Sequence, residues 1–358
     1  MRLKRLELWW RRVWIRLLVS LMRRPGDERP DWGSRPMRVL FLRHDRAGDM
    51  ILSTGIMRGI ASSYPTVTLD VLASPINAGL VEGAEYIGDI IVFDKKKLAS
   101  YLPTALRLRR ARYDAVIDCM VTAPSVTTLL LILASGARYR VGIAGRGNDA
   151  AFNVTVPGDA PPGTHMVDRL AALARAFDVD LDAEQRHPEL TITAVERDAA
   201  IAAWGPPESL RVLVNISAGH IERRWPDDRY VAVMRHVRTH APTAAVLVIA
   251  APDEAERATR IARDGGGVYV KTRTIRDAMA LVATAEFVFT PDTSIAHAAS
   301  AFRRPAVAIY GRGSKAAWAL YGTIGESVEH TDKLPGLGLE RVLAAMDTVW
   351  ASAAISRG

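Results

Sequence analysis

From Met37 onward, short apolar runs bounded by turn residues alternate with stretches in which apolar residues recur every three or four positions. That alternation admits few folds. Strands buried on both faces read as continuous apolar runs, and the helices between them cover a parallel sheet on both sides. Strands are expected at 37–43, 67–72, 90–93, 114–118 and 139–143, with helical patterns at 50–63 and 123–135. Residues 157–163 (PGDAPPG) read as a loop, 165–177 as a helix and 180–190 as a turn-rich passage. The series then restarts, with strands expected at 211–216, 245–250, 268–270, 286–290 and 306–310 and helices near 227–240, 253–264, 275–284 and 294–302. The pattern predicts two α/β domains, 37–190 and 191–330, followed by a helical tail over 331–358. Open sheets of this kind bind ligands off the carboxyl ends of their strands, so two halves predict a ligand cleft between the domains.

Composition agrees with a folded body of two cores: 358 residues, 49% hydrophobic and 24% charged. The single cysteine, Cys119, excludes a disulfide framework or a thiolate metal cluster and suits a reducing compartment. Charge is unevenly placed. Residues 1–24 carry eight basic side chains against Glu7 alone, a net +7 of the chain's +8. The remainder is almost neutral, which argues against a nucleic-acid binder, whose basic charge would spread over the folded body. At helical pitch Leu3, Leu6, Trp10, Val13, Trp14, Leu17 and Leu21 share one face, and Arg2, Arg5, Arg12, Arg16 and Arg23 gather on another. No stretch reaches the ~20 apolar residues of a membrane span. Residues 1–24 are therefore expected to lie on an anionic membrane surface, the plainer alternative being a helix packed on its own protein. Residues 25–36 read as a flexible linker.

Four segments carry residues suited to chemistry. Arg43, His44, Asp45, Arg46, Ala47, Gly48 and Asp49 leave the first strand and open a helix. Gly48 suits a tight turn, and Asp49 is placed either as a general base or as a helix N-cap. Ser217, Gly219, Arg223 and Arg224 lie in a small-residue loop after the first strand of the second half. Such a loop fits a diphosphate, or is a solvated surface loop. Asp253 and Glu254 follow a later strand, where an acid accepts ribose hydroxyls or simply starts a helix. Asp292, Thr293, Ser294 and His297 open a helix whose first amides form an anion site, although a lone helical histidine is more often structural. The fingerprint G-x-G-x-x-G is absent after the first strand, which removes a nicotinamide oxidoreductase. Asp178-Val179-Asp180 reads as solvated and not as a metal motif.

Taken together these segments resemble glycosyltransferase family 9, the heptosyltransferases of lipopolysaccharide core synthesis. The resemblance is carried by GDMILSTGIMRGIASSYP (48–65), the tract from YDAVIDC to RYRVGI (113–143), RRWPDDRY (223–230) and PDTSIAHAASAFRRPAVAIYG (291–311), and spans roughly residues 37–322. It implies a GT-B fold, two Rossmann-like domains facing a cleft. It also implies inverting, metal-independent transfer from a nucleotide sugar, typically ADP-heptose, onto an anionic lipid-linked acceptor, with no other cofactor. By the same resemblance Asp49 is the catalytic base, Arg43, Arg46 and Gly48 serve the acceptor, and Ser217, Gly219 and Arg223 hold the donor phosphates. Glu254 binds the ribose, and Asp292, Thr293, Ser294 and His297 complete the donor site. Ser294 stands where the family usually has glycine, and Arg223 where some members have lysine. A cytoplasmic enzyme, peripheral on the inner face of the cell membrane, is the expectation. A transferase for another ADP-, GDP- or UDP-sugar is the alternative. A non-catalytic membrane adaptor, in which Asp49 and His297 would be dispensable, is a further one.

Overall fold

A computed structural model of the chain describes residues 2–22, 29–120, 124–145, 147–158, 160–205, 209–219 and 223–353; of residues 2–9, 11 and 12 only the helical backbone is described. The side chains of Arg2, Leu3, Arg5, Leu6, Trp9 and Arg12, the expected linker residues 25–28, Ala123, Asp159, His220–Glu222 and the tail residues 354–358 lie outside the described residues. The chain divides into two units, Met1–His187 and Pro188–Gly358.

The first unit contains α1 (Arg2–Met22), β1 (Met37–Arg43), α2 (Ala47–Ser63), β2 (Val67–Ala73), β3 (Ile90–Val92), α3 (Tyr101–Ala111), β4 (Ala115–Asp118), α4 (Val126–Ser135), β5 (Tyr139–Ile143), β6 (Val154–Val156) and α5 (Met166–Ala171). All strand pairs are parallel, in the order β3-β2-β1-β4-β5-β6. The central strand MRVLFLR is buried along all but Arg38, as its continuous apolar run requires. Helix α2 lies hard against residues 181–187. A Cβ on Gly55 would stand 2.3 Å from the Arg186 carbonyl oxygen, and one on Gly59 would stand 2.4 Å from the Leu181 side chain. Only glycine permits that approach, and it fixes the helix that carries Asp49.

The second unit repeats the plan with α6 (Ala194–Trp204), β7 (Arg211–Asn215), α7 (Asp227–His240), β8 (Ala245–Ile249), α8 (Ala255–Gly265), β9 (Val268–Tyr269), α9 (Ile275–Thr284), β10 (Phe287–Pro291), α10 (Ser294–Ala301), β11 (Ala306–Tyr310), α11 (Lys315–Trp318), β12 (Gly325–Glu329) and α12 (Leu339–Ser352). Its parallel sheet runs β12-β11-β10-β7-β8-β9. Read from the first strand of each sheet, both orders are 3-2-1-4-5-6, the doubly wound arrangement. The chain reverses its direction of winding between β1 and β4 in one sheet and between β7 and β10 in the other. Ligand crevices open at those points, beyond the strands' carboxyl ends.

Four expectations need correction. The described part of the linker, 29–36, is docked on the first unit. Trp32 is buried, its Nε1 donates to the Ala176 carbonyl at 3.1 Å, and its ring lies 4.2 Å from that of Phe177. An indole with a satisfied N–H is a poor linker residue because it gains so much by burial. The expected tail is also no appendage: Val342, Met346, Val349 and Trp350 of α12 belong to the second unit's core. The helix expected over 165–177 turns into a tighter 3-10 helix at Ala172 and ends with Asp178 in the left-handed region at φ 54°. Gly48 forms no tight turn; it sits in the first turn of α2 without a positive φ.

Helix α1 has two apolar sides. Leu18 and Met22 are buried, with Ile15 and Val19 packed beside them, in the first unit's core with α4. Trp10, Trp14, Leu17 and Leu21 form a separate exposed stripe.

Candidate active site

The first switch point is organised by one buried arginine. Arg43, the last residue of β1, is 2% exposed. Its Nη1 donates to the Cys119 carbonyl, just past β4, at 2.7 Å, and its Nε donates to the Asp49 carbonyl at 3.0 Å. Its Nη2 lies 3.6 Å from Asp49 Oδ1, and Asp45 Oδ2 lies 3.4 Å from Nη1. Asn77 ties the loop down from the other side, donating to the Arg43 carbonyl at 2.9 Å and to the Arg46 carbonyl at 3.3 Å. Arg46 is the N-cap residue of α2, so Asp49 is not a cap; it stands third in the helix. Its side chain is only 13% exposed. Burial pushes its carboxyl up to about 6, against the pull of Arg43. Asp118, at the end of β4, is likewise raised to about 6 by burial, opposed by the Met120 N–H donated to it at 2.9 Å. Burial also lowers His44 to about 4, so its ring is neutral near pH 7. The crevice therefore offers a carboxylate able to take a proton near neutrality, braced by a cation too deep to reach a substrate directly.

The second switch point is tied by Asn215, the last residue of β7 and 1% exposed. Its Nδ2 donates to Thr290 Oγ1 at 2.9 Å and Thr293 Oγ1 at 3.0 Å, and its Oδ1 accepts the Ser217 N–H at 3.1 Å. Thr293 is the N-cap of α10 and accepts the Ile295 N–H, while Ser294 is the helix's first residue. Ser217 Oγ accepts the Ala251 N–H at 2.7 Å, which locks the β7 loop onto the end of β8. Gly219 has a φ of 65° with open space around it, a backbone that a larger residue would strain. Glu254 is buried, and its Oε1 accepts from Arg224 Nε and Arg257 Nη1, each at 2.9 Å. Arg257 also reaches Asp227 and the carbonyls of Ile216 and Trp225. His297 is buried, its ring 6.0 Å from Trp318.

Beside these lies a pocket of about 220 Å³ lined by Ala218, Arg223, Asp292, Arg312, Ser314 and Lys333 among others. Arg223 is 54% exposed there, its Nη1 3.9 Å from Asp292 Oδ2. The fold thus brings Arg223 and Asp292 together in one pocket, where Arg312, Lys333 and Asp332 also stand, with Thr293 and Ser217 joined next to it through Asn215. Glu254 and His297 are buried and do not line it. Asn215, Arg257, Arg312 and Lys333 were not foreseen. The loop Gly311-Arg312-Gly313-Ser314-Lys315 after β11 was the available signal, being another small, basic loop at a strand's carboxyl end.

Two doubly wound sheets of this order match known solved structures. The glycosyl transferase family 9 structure from Veillonella parvula aligns with a TM-score of 0.77 at 16% identity, covering 92% of this chain and 99% of that one. The E. coli heptosyltransferase WaaC with ADP aligns at 0.70 and 18%, covering 87% and 100%. The fold is GT-B. In sequence the chain is 24% identical over 302 residues to the lipopolysaccharide heptosyltransferase 2 of Salmonella typhimurium, covering 78% of this chain and 84% of the relative. Residues 104–336 match Glycosyltransferase family 9 (heptosyltransferase), and the chain belongs to that family. It is a heptosyltransferase-like glycosyltransferase.

Proposed function

We propose that the enzyme transfers a heptose from ADP-heptose to a hydroxyl of a lipopolysaccharide-core or other lipid-linked anionic acceptor, with inversion and without a metal ion or further cofactor. The observation that carries the reading is the half-buried Asp49, raised to about 6 at a switch point and braced by Arg43. Its carboxylate takes the acceptor hydroxyl's proton as the oxygen attacks the anomeric carbon from the side opposite the diphosphate. The bond to the diphosphate breaks, and its electron pair leaves with the nucleotide. Arg223 and the first amides of α10 meet that developing charge. Arg43 acts as a positioning residue, while Arg46 and the helix start at Gly48 face the acceptor. Glu254 fixes the ribose side through Arg224 and Arg257.

Thermal-shift titration with ADP-, GDP- and UDP-sugars tests the donor. Stabilisation by the ADP-sugar, lost in Arg223→Ala, is expected. A response to a GDP- or UDP-sugar alone replaces the donor, and a full response in Arg223→Ala removes Arg223 from the site.

The acceptor's lipid end places the enzyme on the inner face of the cell membrane. The exposed stripe Trp10, Trp14, Leu17 and Leu21 supports that reading. So does the net +7 of residues 1–24, a charge suited to anionic headgroups. Leu130 and Leu133 of α4, which packs on α1, and Leu102 and Leu106 of α3 are exposed as well. No described helix is long and apolar enough to cross a membrane. Flotation with anionic vesicles but not neutral ones is expected, and loss of binding in Trp10→Glu/Trp14→Glu identifies the stripe; equal flotation of that variant removes it.

A further inference from the structure

At the end of α7 remote from the donor loop, three side chains from two helices converge. His236 and His240 stand one turn apart on α7, and Asp347 faces them from α12. Asp347 Oδ1 lies 2.7 Å from His236 Nε2 and 3.2 Å from His240 Nε2. The potential ligand atoms all lie within 4.8 Å of one another.

The hydrogen bonds around His240 decide which of its nitrogens carries the proton. Thr239 Oγ1 donates to the His236 carbonyl at 2.7 Å, so its own proton is committed. His240 Nδ1 lies 3.1 Å from that carbonyl and 3.1 Å from Thr239 Oγ1, and both can only accept from it. Nδ1 therefore carries an N–H, and Nε2 is the nitrogen turned toward the Asp347 carboxylate. Both Nε2 atoms thus converge on one carboxylate oxygen, the atoms through which imidazoles and a carboxylate share a cation. An imidazole that gives Nδ1–H to a backbone carbonyl and leaves Nε2 for coordination is the arrangement that metal-bound histidines adopt. The two imidazole rings lie 4.6 Å apart, centroid to centroid, and the His240 ring lies 5.7 Å from that of the buried Trp350.

We propose that His236, His240 and Asp347 bind a divalent cation of the Zn²⁺ class, pinning α12 to α7. Two imidazoles and one carboxylate are a donor set for a borderline cation, with water completing the tetrahedron. His236 and His240 lie roughly 14–20 Å of helical rise from Asp227, so the site serves the fold of the second unit and not the transfer step.

The test titrates ZnCl₂ into the untagged full-length chain after EDTA treatment, read by calorimetry and by the melting temperature. Binding of one equivalent with a raised melting temperature is expected. His236→Ala and His240→Ala should each weaken binding by more than the roughly 10- to 100-fold that loss of a second-sphere partner costs. In long-range ¹H–¹⁵N spectra of the wild-type chain, the Nε2 signals of both rings should move on Zn²⁺ addition while His240 Nδ1 keeps its proton. Three outcomes overturn the proposal: no saturable binding, undiminished binding in the His236→Ala/His240→Ala chain, or a doubly protonated His240 ring indifferent to Zn²⁺. The spectra need no variant, so misfolding of a substituted chain leaves the test intact.

Discussion

Asp49→Asn separates a catalytic carboxylate from a structural one, because the two roles move stability in opposite directions. Burial raises the Asp49 carboxyl from 3.8 to about 6, even with Arg43 favouring the charged form. An acid whose pKa is higher in the folded state holds its proton longer there. Its contribution to stability is complete below the unfolded value and is lost as the pH climbs through about 6. A shift of roughly two units corresponds to about 3 kcal/mol at 1.36 kcal/mol per unit. Asparagine keeps the shape and cannot ionise. The variant should therefore be more stable than wild type at pH 8 by up to about 3 kcal/mol, with the gain fading to nothing below the unfolded carboxyl value of ~4. At roughly 2–4 °C per kcal/mol for a unit of this size, calorimetry resolves the difference. Turnover, followed as released nucleoside diphosphate, should fall by at least about 100-fold in the variant. Wild-type turnover should drop below pH 6, since about a tenth of the carboxyl is ionised one unit below its pKa. An Asp49→Asn chain that melts lower than wild type at pH 8 would refute the reasoning, because it would mean that the ionised carboxylate supports the fold. Undiminished turnover would refute the role as base.

Asn215→Ala leaves Thr290, Thr293 and the Ser217 N–H without their shared partner, and the site is buried. A loss of about 2–3 kcal/mol in urea unfolding is expected, together with a raised donor KM. Glu196 is held down to about 2, first by its hydrogen bonds from Arg276 and also by its capping of Thr193. That stability is present above the ordinary value of 4.5 and is lost as the pH falls through about 2. Glu196→Gln should accordingly cost about 2–3 kcal/mol at pH 7, with the gap to wild type closing between pH 4.5 and 2 in acid unfolding.

The legible strands are those that write an apolar run: most are buried on both faces, and the edge strands β3 (IIV) and β9 (VY) happen to be apolar although partly exposed. β6 (Val-Thr-Val, with its threonine exposed) and β12 (GESVE, with one buried residue) are sheet edges, and an edge strand need not be apolar. Helices α3 and α6 escaped for the opposite reason. In α3 the leucines fall on exposed and buried sides alike, and in α6 alanines dominate, so neither shows a clear apolar face; each buries two residues. At the site, residue type and position after a strand were enough to place Asp49, Arg223 and Asp292 at carboxyl ends. Whether a side chain reaches solvent was not legible. Arg43 and Glu254 were read as substrate contacts, yet each is spent on protein partners, because burial depends on neighbours distant in sequence. Asn215 reads as an ordinary turn former until the ends of β7 and β10 lie side by side.

Arg43 and Asn215 hold equivalent places. Each is the last residue of the first strand in its sheet, and each is a buried polar residue that ends an apolar run. In register, Leu42 pairs with Asp118 and Val214 with Phe289, so one step further Arg43 stands beside Cys119 and Asn215 beside Thr290. Those are the groups each side chain holds, at 2.7 Å and 2.9 Å. The reason is geometric. Where a parallel sheet reverses its winding, the loops after its two central strands diverge to opposite faces, and no third loop covers the gap. A crevice must form there, and the backbone around it loses the neighbours that would satisfy it. One polar side chain from the central strand can span the gap without filling it. The second unit uses an amide, which donates and accepts and so suits a loop of hydroxyls and N–H groups. The first uses a guanidinium, which only donates, and thereby gathers carbonyls and carboxylates around itself. That difference sets a carboxylate, Asp49, against the guanidinium at one switch point and hydroxyls and N–H groups against the amide at the other.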